Sequence, residues 1–160
     1  MDKLLLQQQV LERLAEDLLE AERAAQAAHE TATHEENIAE NKYDTLGLEA
    51  AYLATGQARR AEALRQAMAN WRRFRPRPYD ASKGIELGAL VCLVDSDHRQ
   101  QQLFLGPDGG SMKLVNGAQL VQVISSEAPL GRAMLGKFEG DELWIQVAPM
   151  RQQFEVLRVH

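Results

Sequence analysis

Apolar residues recur every seven positions from the start of this chain, at Leu4, Leu11, Leu18, Ala25 and Ala32. A second set, Leu14, Ala21 and Ala28, falls three positions after the first, and Gln7 is its one polar member. A heptad pattern of this length predicts a helix whose narrow apolar seam has to be covered by another helix. The seam side chains shrink from Leu to Ala towards position 30. Small seam residues let two helix axes approach, so the pair is expected to taper.

The covering helix follows in the same chain. From about Lys42 to Trp71, the residues Leu46, Ala50, Leu53, Gln57, Ala61, Leu64, Met68 and Trp71 form a stripe at spacings of three and four. Gly56 weakens it by roughly 1 kcal/mol relative to Ala. Two stripes of similar length joined by a short polar segment are expected to pair antiparallel. Each arm of about 30 residues would make a rod on the order of 45 Å long.

The segment between the arms, His34 to Thr45, is the sharpest functional signal. From Arg23 to Lys42 the chain holds Glu30, Glu35, Glu36 and Glu40 and no Lys or Arg between those two ends. Folding the arms back crowds these carboxylates at the tip of a hairpin. Glu35 and Glu36 then sit near a helix C-terminus, where negative charge is disfavoured by about 0.3–1 kcal/mol each. A cluster that costs stability and builds no core suggests a tip delivered to a partner. Asn41 and Asp44 also have a structural reading, as N-cap and third residue of the second helix. His29 and His34 lie five apart, about 140° round a helix, and so lack the one-face spacing of a zinc-binding pair.

Charge is distributed in blocks. Residues 1–40 carry ten acids and three bases, whereas residues 71–80 hold Arg72, Arg73, Arg75 and Arg77 against Asp80, within a chain of net charge −5. An acidic arm on a basic neck suits electrostatic steering to a charged partner and lacks the broad basic face of a duplex-DNA reader. The arginines are equally well explained as a solvated linker. No apolar run approaches the ~20 residues of a membrane span, and no secretory cleavage pattern opens the chain. The lone Cys92 cannot form an internal disulfide, which fits a cytoplasmic setting.

Pro76 and Pro78 end the helical half, giving expected domains of 1–75 and 76–160. Beyond them lie short β-like runs: Leu90–Val94, Gln102–Leu105, Met112–Val115, Leu120–Ile124, Glu142–Val147 and Phe154–Val159. Turn residues separate them, and one short helix interrupts them, with Ser125 or Ser126 as its cap, Pro129 in its first turn and Gly136 at its end. Trp144, at a strand position, is read as core or partner-facing. The expected fold class is α+β: an antiparallel coiled-coil hairpin followed by a small domain, an antiparallel sheet plus one short helix.

Within the second half, Val121-Gln122-Val123-Ile124-Ser125 and Ala128-Pro129-Leu130-Gly131-Arg132-Ala133-Met134-Leu135-Gly136-Lys137 stand with Gly140-Asp141-Glu142 and Phe154-Glu155-Val156. This resembles the bacterial Gre transcript-cleavage factors, which carry a similar Ser-Pro-Ile/Leu-Gly-Arg-Ala-Leu-Leu-Gly-Lys run. The resemblance covers about the last 75 residues. It implies an FKBP-like fold for the second domain, though not isomerase activity. In the first half Glu40-Asn41 takes the place of the family's Glu-Asn, and Gly56 falls where the family also has a glycine.

The resemblance implies a regulator acting through RNA polymerase, not an enzyme on its own. By the same resemblance it would insert its coiled coil into the polymerase's secondary channel, with Ala128, Pro129, Leu130, Gly131, Arg132 and Lys137 at or near a contact with the channel rim. The tip would present Glu35, Glu36, Asn37, Glu40, Asn41 and Asp44, with Glu40, Glu36 and Asp44 as the acting carboxylates. The chain would have no intrinsic cofactor. A Mg²⁺ of the polymerase active centre would be shared through Glu40, so that backtracked RNA is cleaved. The family's Asp position, however, falls on Asn37. A neutral carboxamide is a poorer ligand for Mg²⁺ than a carboxylate, and Glu36 and Asp44 are out of register with it. Two alternatives therefore stand beside the cleavage stimulator: a channel-occupying modulator or inhibitor that does not cleave, and a coiled-coil dimerisation protein. The leading reading is a monomer whose contact with nucleic acid is indirect or weak.

Overall fold

The computed structural model describes residues 2–38, 45–108 and 111–160. Two long helices, α1 (Lys3–Ile38) and α2 (Thr45–Arg73), form an antiparallel hairpin. They precede six strands and a short helix: β1 (Leu90–Asp95), β2 (Gln100–Gly106), β3 (Met112–Asn116), β4 (Gln119–Ser125), α3 (Pro129–Met134), β5 (Glu142–Val147) and β6 (Met150–Val159). The chain divides into two compact units. One holds the chain up to Val10 together with Asn70–His160, and the other is Leu11–Ala69. Among the described residues, no helix is long and apolar enough to cross a membrane.

In the unit Leu11–Ala69 the hairpin seam follows the heptad. Leu14, Ala21, Ala28 and Ala32 of α1 are buried, as are Ala61 and Met68 of α2. Leu11, Leu18 and Ala25 are half-buried, which puts the line through Leu14, Ala21 and Ala28 deepest in the seam. Leu53 does not belong to it. Its side chain is 61% exposed, and Ala54 takes the inward place, so that Ala50, Ala54, Gln57, Ala61, Leu64 and Met68 alternate at four and three. The geometry of a 3.5-residue repeat, rather than side-chain hydrophobicity, selects the position. Arg65 crosses from α2 to bind Glu22 of α1 at 2.9 Å and also reaches Glu62 at 3.1 Å.

In the other unit the ends of the two helices meet the sheet. Leu6, Gln7, Val10 and Trp71 are buried, whereas Leu4 is 63% exposed. Gln7, the polar member of the heptad, donates from Nε2 to the carbonyl oxygens of Trp71 at 2.6 Å and Phe74 at 2.8 Å. The last carbonyls of a helix have no partner within it. Here Gln7 takes that of Trp71, the guanidinium of Arg75 takes that of Arg72 at 2.6 Å, and Phe74 N takes that of Asn70 at 3.1 Å. The indole of Trp71 packs on Phe104 and Phe74 at ring separations of 5.8 Å and donates from Nε1 to Asp108 O at 2.8 Å. Asn70 Nδ2 donates to the Asp108 carboxylate at 2.6 Å. Gly106 makes this possible, since a Cβ there would collide with the indole.

The sheet order is β3-β4-β2-β1-β6-β5. Every pairing is antiparallel except β2 with β4, so the expectation of a wholly antiparallel sheet is corrected at that one pair. The β3–β4 hairpin returns β4 to lie beside β2 and leaves β3 at the edge. One face of the sheet carries the core of Val91, Leu93, Leu103, Leu105, Ile124, Leu143, Phe154 and Val156, closed by Ile85 and Met134. Strand β6 begins four residues earlier than its apolar run, at Met150, because Gln146↔Arg151 and Val147↔Met150 continue the ladder with β5. Trp144 faces outward, 45% exposed, with the Arg151 guanidinium 4.8 Å above its ring.

Two outcomes test this junction. Replacing Gln7 by Ala strips the Trp71 carbonyl of its buried donor and is expected to cost about 1–3 kcal/mol, read as a lower urea midpoint. Gly106→Ala is expected to cost a similar ~1–3 kcal/mol by overpacking. Part of that loss should return in a Trp71→Leu background, where the indole is gone, and a double-mutant cycle measures the coupling.

Candidate functional site

Two features of the chain are candidates: the acidic end of the hairpin and the segment around α3. The backbone of Glu35, Glu36 and Asn37 belongs to the last turn of α1, which holds no basic residue. The last turn of α1 thus has two acidic residues in its sequence and no Lys or Arg. Glu40, Asn41 and Asp44 lie outside the described residues, as do the assignments of Asn41 and Asp44 to the cap and first turn of α2. Among the described residues, no three His, Cys, Asp or Glu side chains gather in a way that would hold a metal ion.

The second candidate is built by a tight turn. Ser125 ends β4, and its carbonyl accepts from Ala128 N at 3.1 Å while its hydroxyl accepts from Glu127 N at 3.1 Å. Ala128 is the N-cap residue of α3 and makes no side-chain capping bond, so neither Ser125 nor Ser126 caps the helix. Ser125 instead shapes the turn before it, and Pro129 opens the helix with a fixed φ and no N–H to leave unpaired. Gly131 is buried against that turn, where a Cβ would collide with the Ser125 carbonyl. The sequence run thus needs glycine at this place for steric reasons.

Beyond α3 the chain is stitched back to the core. Gly136 N donates to Ile85 O at 2.9 Å, and Ile85 N donates to Lys137 O at 2.8 Å. Met134 is fully buried, and Leu130 and Ala133 pack on the core. What remains outward is Pro129, Arg132, Leu135 and Gly136. Ala128 and Lys137 are half-buried. Arg132 pairs with Glu127 at 3.3 Å, but both side chains are so exposed that the pair adds little stability. Leu135 and Phe138, 42% and 39% exposed, flank the same surface. Sequence alone does not single them out, since Leu135 is one of several apolar members of the motif and Phe138 stands between Lys137 and Glu139. The segment therefore offers a mixed surface of one guanidinium, one proline ring and two apolar side chains.

Comparison with known proteins follows this division. Residues 80–160 match the family model described as transcription elongation factor, GreA/GreB, C-terminal. The transcription elongation factor GreA of Maridesulfovibrio salexigens is 32% identical over 77 residues, covering 47% of this chain and 44% of that protein. GreA of Halorhodospira halophila is 28% identical over 102 residues, covering 62% of this chain and 60% of that protein. These matches span about half the length of the relatives. The crystal structure of GreA factor homolog 1 (Gfh1) from Thermus thermophilus is 23% identical and covers 94% of both chains, with a TM-score of 0.38. Gfh1 of Thermus aquaticus is 24% identical, covering 93% of this chain and 92% of that one, at a TM-score of 0.40. With the family model spanning the whole sheet-bearing half, from Asp80 to His160, this protein belongs to the GreA/GreB family of transcription elongation factors.

Proposed function

We propose that this protein regulates transcription by binding RNA polymerase through the surface around α3 and presenting the acidic end of its hairpin in the secondary channel. The observation that carries the reading is the pairing, in one chain, of a family-matched sheet domain with a helical hairpin whose first helix ends in an acidic run with no basic residue in its last turn. The exposed part of the 128–137 segment, Pro129, Arg132 and the adjoining Leu135, would meet the polymerase rim, with Ala128, Leu130 and Lys137 at its margin. Gly131 would hold the turn in shape. The hairpin would place Glu35, Glu36, Glu40 and Asp44 near the active centre, with Asn37 and Asn41 between them.

Asn37 favours one form of this activity. Mg²⁺ prefers charged oxygen ligands and surrenders its waters reluctantly, and two-metal chemistry needs both ions clamped. The donor set would be Glu40 with Glu36 or Asp44, and in the sequence the neutral Asn37 falls where the family resemblance calls for a carboxylate. Any such ion would belong to the polymerase. The protein is accordingly proposed to occupy the channel and modulate the active centre without donating a full set of ligands.

A backtracked elongation complex tests this. Adding the protein is expected to leave RNA cleavage at background, and Asn37→Asp is expected to raise it. Shortening of RNA by the unaltered protein, abolished in Glu40→Ala, would instead establish it as a cleavage stimulator. In a pull-down with core polymerase, Arg132→Glu is expected to weaken binding about tenfold, ~1.4 kcal/mol. Among the described residues the Arg132 side chain makes only an exposed ion pair, so the fold should be unaffected.

A further inference from the structure

An open groove of about 490 Å³ lies beside the start of α1, within the unit that carries the sheet. Leu4, Pro76, Pro78 and Tyr79 give it apolar walls, and Lys3 and Arg77 line it as well. The Lys3 ammonium is half-buried and donates to the carbonyl oxygen of Arg77 at 2.7 Å. It makes no ion pair among the described residues, and its burial lowers its pKa. The carboxylate lining the groove, that of Asp2, is engaged elsewhere, accepting from Leu4 N at 2.9 Å at the start of the helix. His160, also in the lining, has its main chain paired with Leu90 in both directions.

The positive charge continues along the neighbouring segment. Arg72, Arg73 and Arg75 are exposed and form no ion pair among the described residues. Arg73 and Arg75 spend hydrogen bonds on neutral partners, the Asn70 side chain and the carbonyls of Arg72 and Phe74. On a chain of net charge −5, this is a local excess of cations, with Asp2 as the one carboxylate in the groove's lining among the described residues. A partly desolvated ammonium with no direct ion pair bears the cost of burial with little compensation. A carboxylate brought to it would form a charge-assisted hydrogen bond.

We infer that this groove docks an acidic, apolar segment of a partner protein, with its carboxylates on Lys3 and Arg77 and its aliphatic side chains over Leu4, Pro76 and Pro78. A phosphodiester strand could use the cations but has no aliphatic groups to cover the exposed leucine and the proline rings, so the lining favours a peptide. The site uses no residue of the hairpin end or of the 128–137 segment, and its test needs no polymerase.

The probe is a fluorescein-labelled synthetic peptide of alternating Glu and Leu, titrated with the full chain and read by anisotropy. Saturable binding is expected that weakens with added salt. A Lys3→Glu, Arg77→Glu double variant should weaken it at least tenfold, and Leu4→Ser several-fold. A peptide with Lys in place of Glu should not bind. Circular dichroism melts check folding. If the double variant melts early, Arg77→Glu alone carries the test, since that side chain is exposed. The inference is overturned by absence of saturable binding, by an affinity that neither variant moves, or by tighter binding of a single-stranded RNA oligonucleotide that the same substitutions abolish.

Discussion

Trp71 is the residue on which the sheet-bearing unit depends. Its indole rests on Phe104 of β2, is met edge-on by Phe74, and donates its N–H to the main chain at Asp108. A side chain this large stabilises a core through the area it withdraws from water, but only if its polar edge finds an acceptor. Its position also places demands on its neighbours. Gly106 has to lack a side chain where the indole lies across the end of β2. The Trp71 carbonyl, in the last turn of α2, needs a donor from outside the helix, and Gln7 supplies it from α1. A buried amide in a coiled-coil seam is unfavourable when unpaired. At the end of a helix it meets a carbonyl that would otherwise be unpaired as well, and each group removes the other's penalty.

The surface proposed to meet the polymerase depends on a similar steric condition. The turn from β4 into α3 brings the Ser125 carbonyl so close to residue 131 that only glycine fits. Met134, Leu130 and Ala133 are pulled onto the core, and this turns Pro129, Arg132 and Leu135 outward. The motif that identifies the family is thus part packing instruction and part surface. Of its ten residues, the exposed ones are available to a partner, whereas the buried ones give that surface its rigidity.

Much of this was legible from the chain, and the exceptions share a cause. The heptad of α1 marked out the seam, and five of the six apolar runs in the second half coincide with strands to within two residues at either end. Leu53 fits the sequence stripe by its spacing, yet it is exposed and Ala54 takes the inward place. Gln7 looked like a flaw in the pattern because its partners, Trp71 and Phe74, are more than sixty residues away. The first residues of β6 are Arg151, Gln152 and Gln153 after Met150, which carry no β-like pattern and are held in the strand by pairing with β5. Ser125 and Ser126 both suit a helix cap by residue type, yet neither caps α3, and Ser125 shapes the turn one step earlier.

Local periodicity and turn chemistry determined, by themselves, that two helices pair and that a small strand-rich domain follows, because these depend on neighbours in sequence. They also located the acidic run and the family motif, which are read residue by residue. Only the tertiary structure decided that β4 lies parallel to β2, that Gln7 closes the end of α2, and that Lys3 shares a groove with Arg77. Those outcomes depend on which groups separated along the chain reach one another, and a burial cost is settled only when both partners are in place.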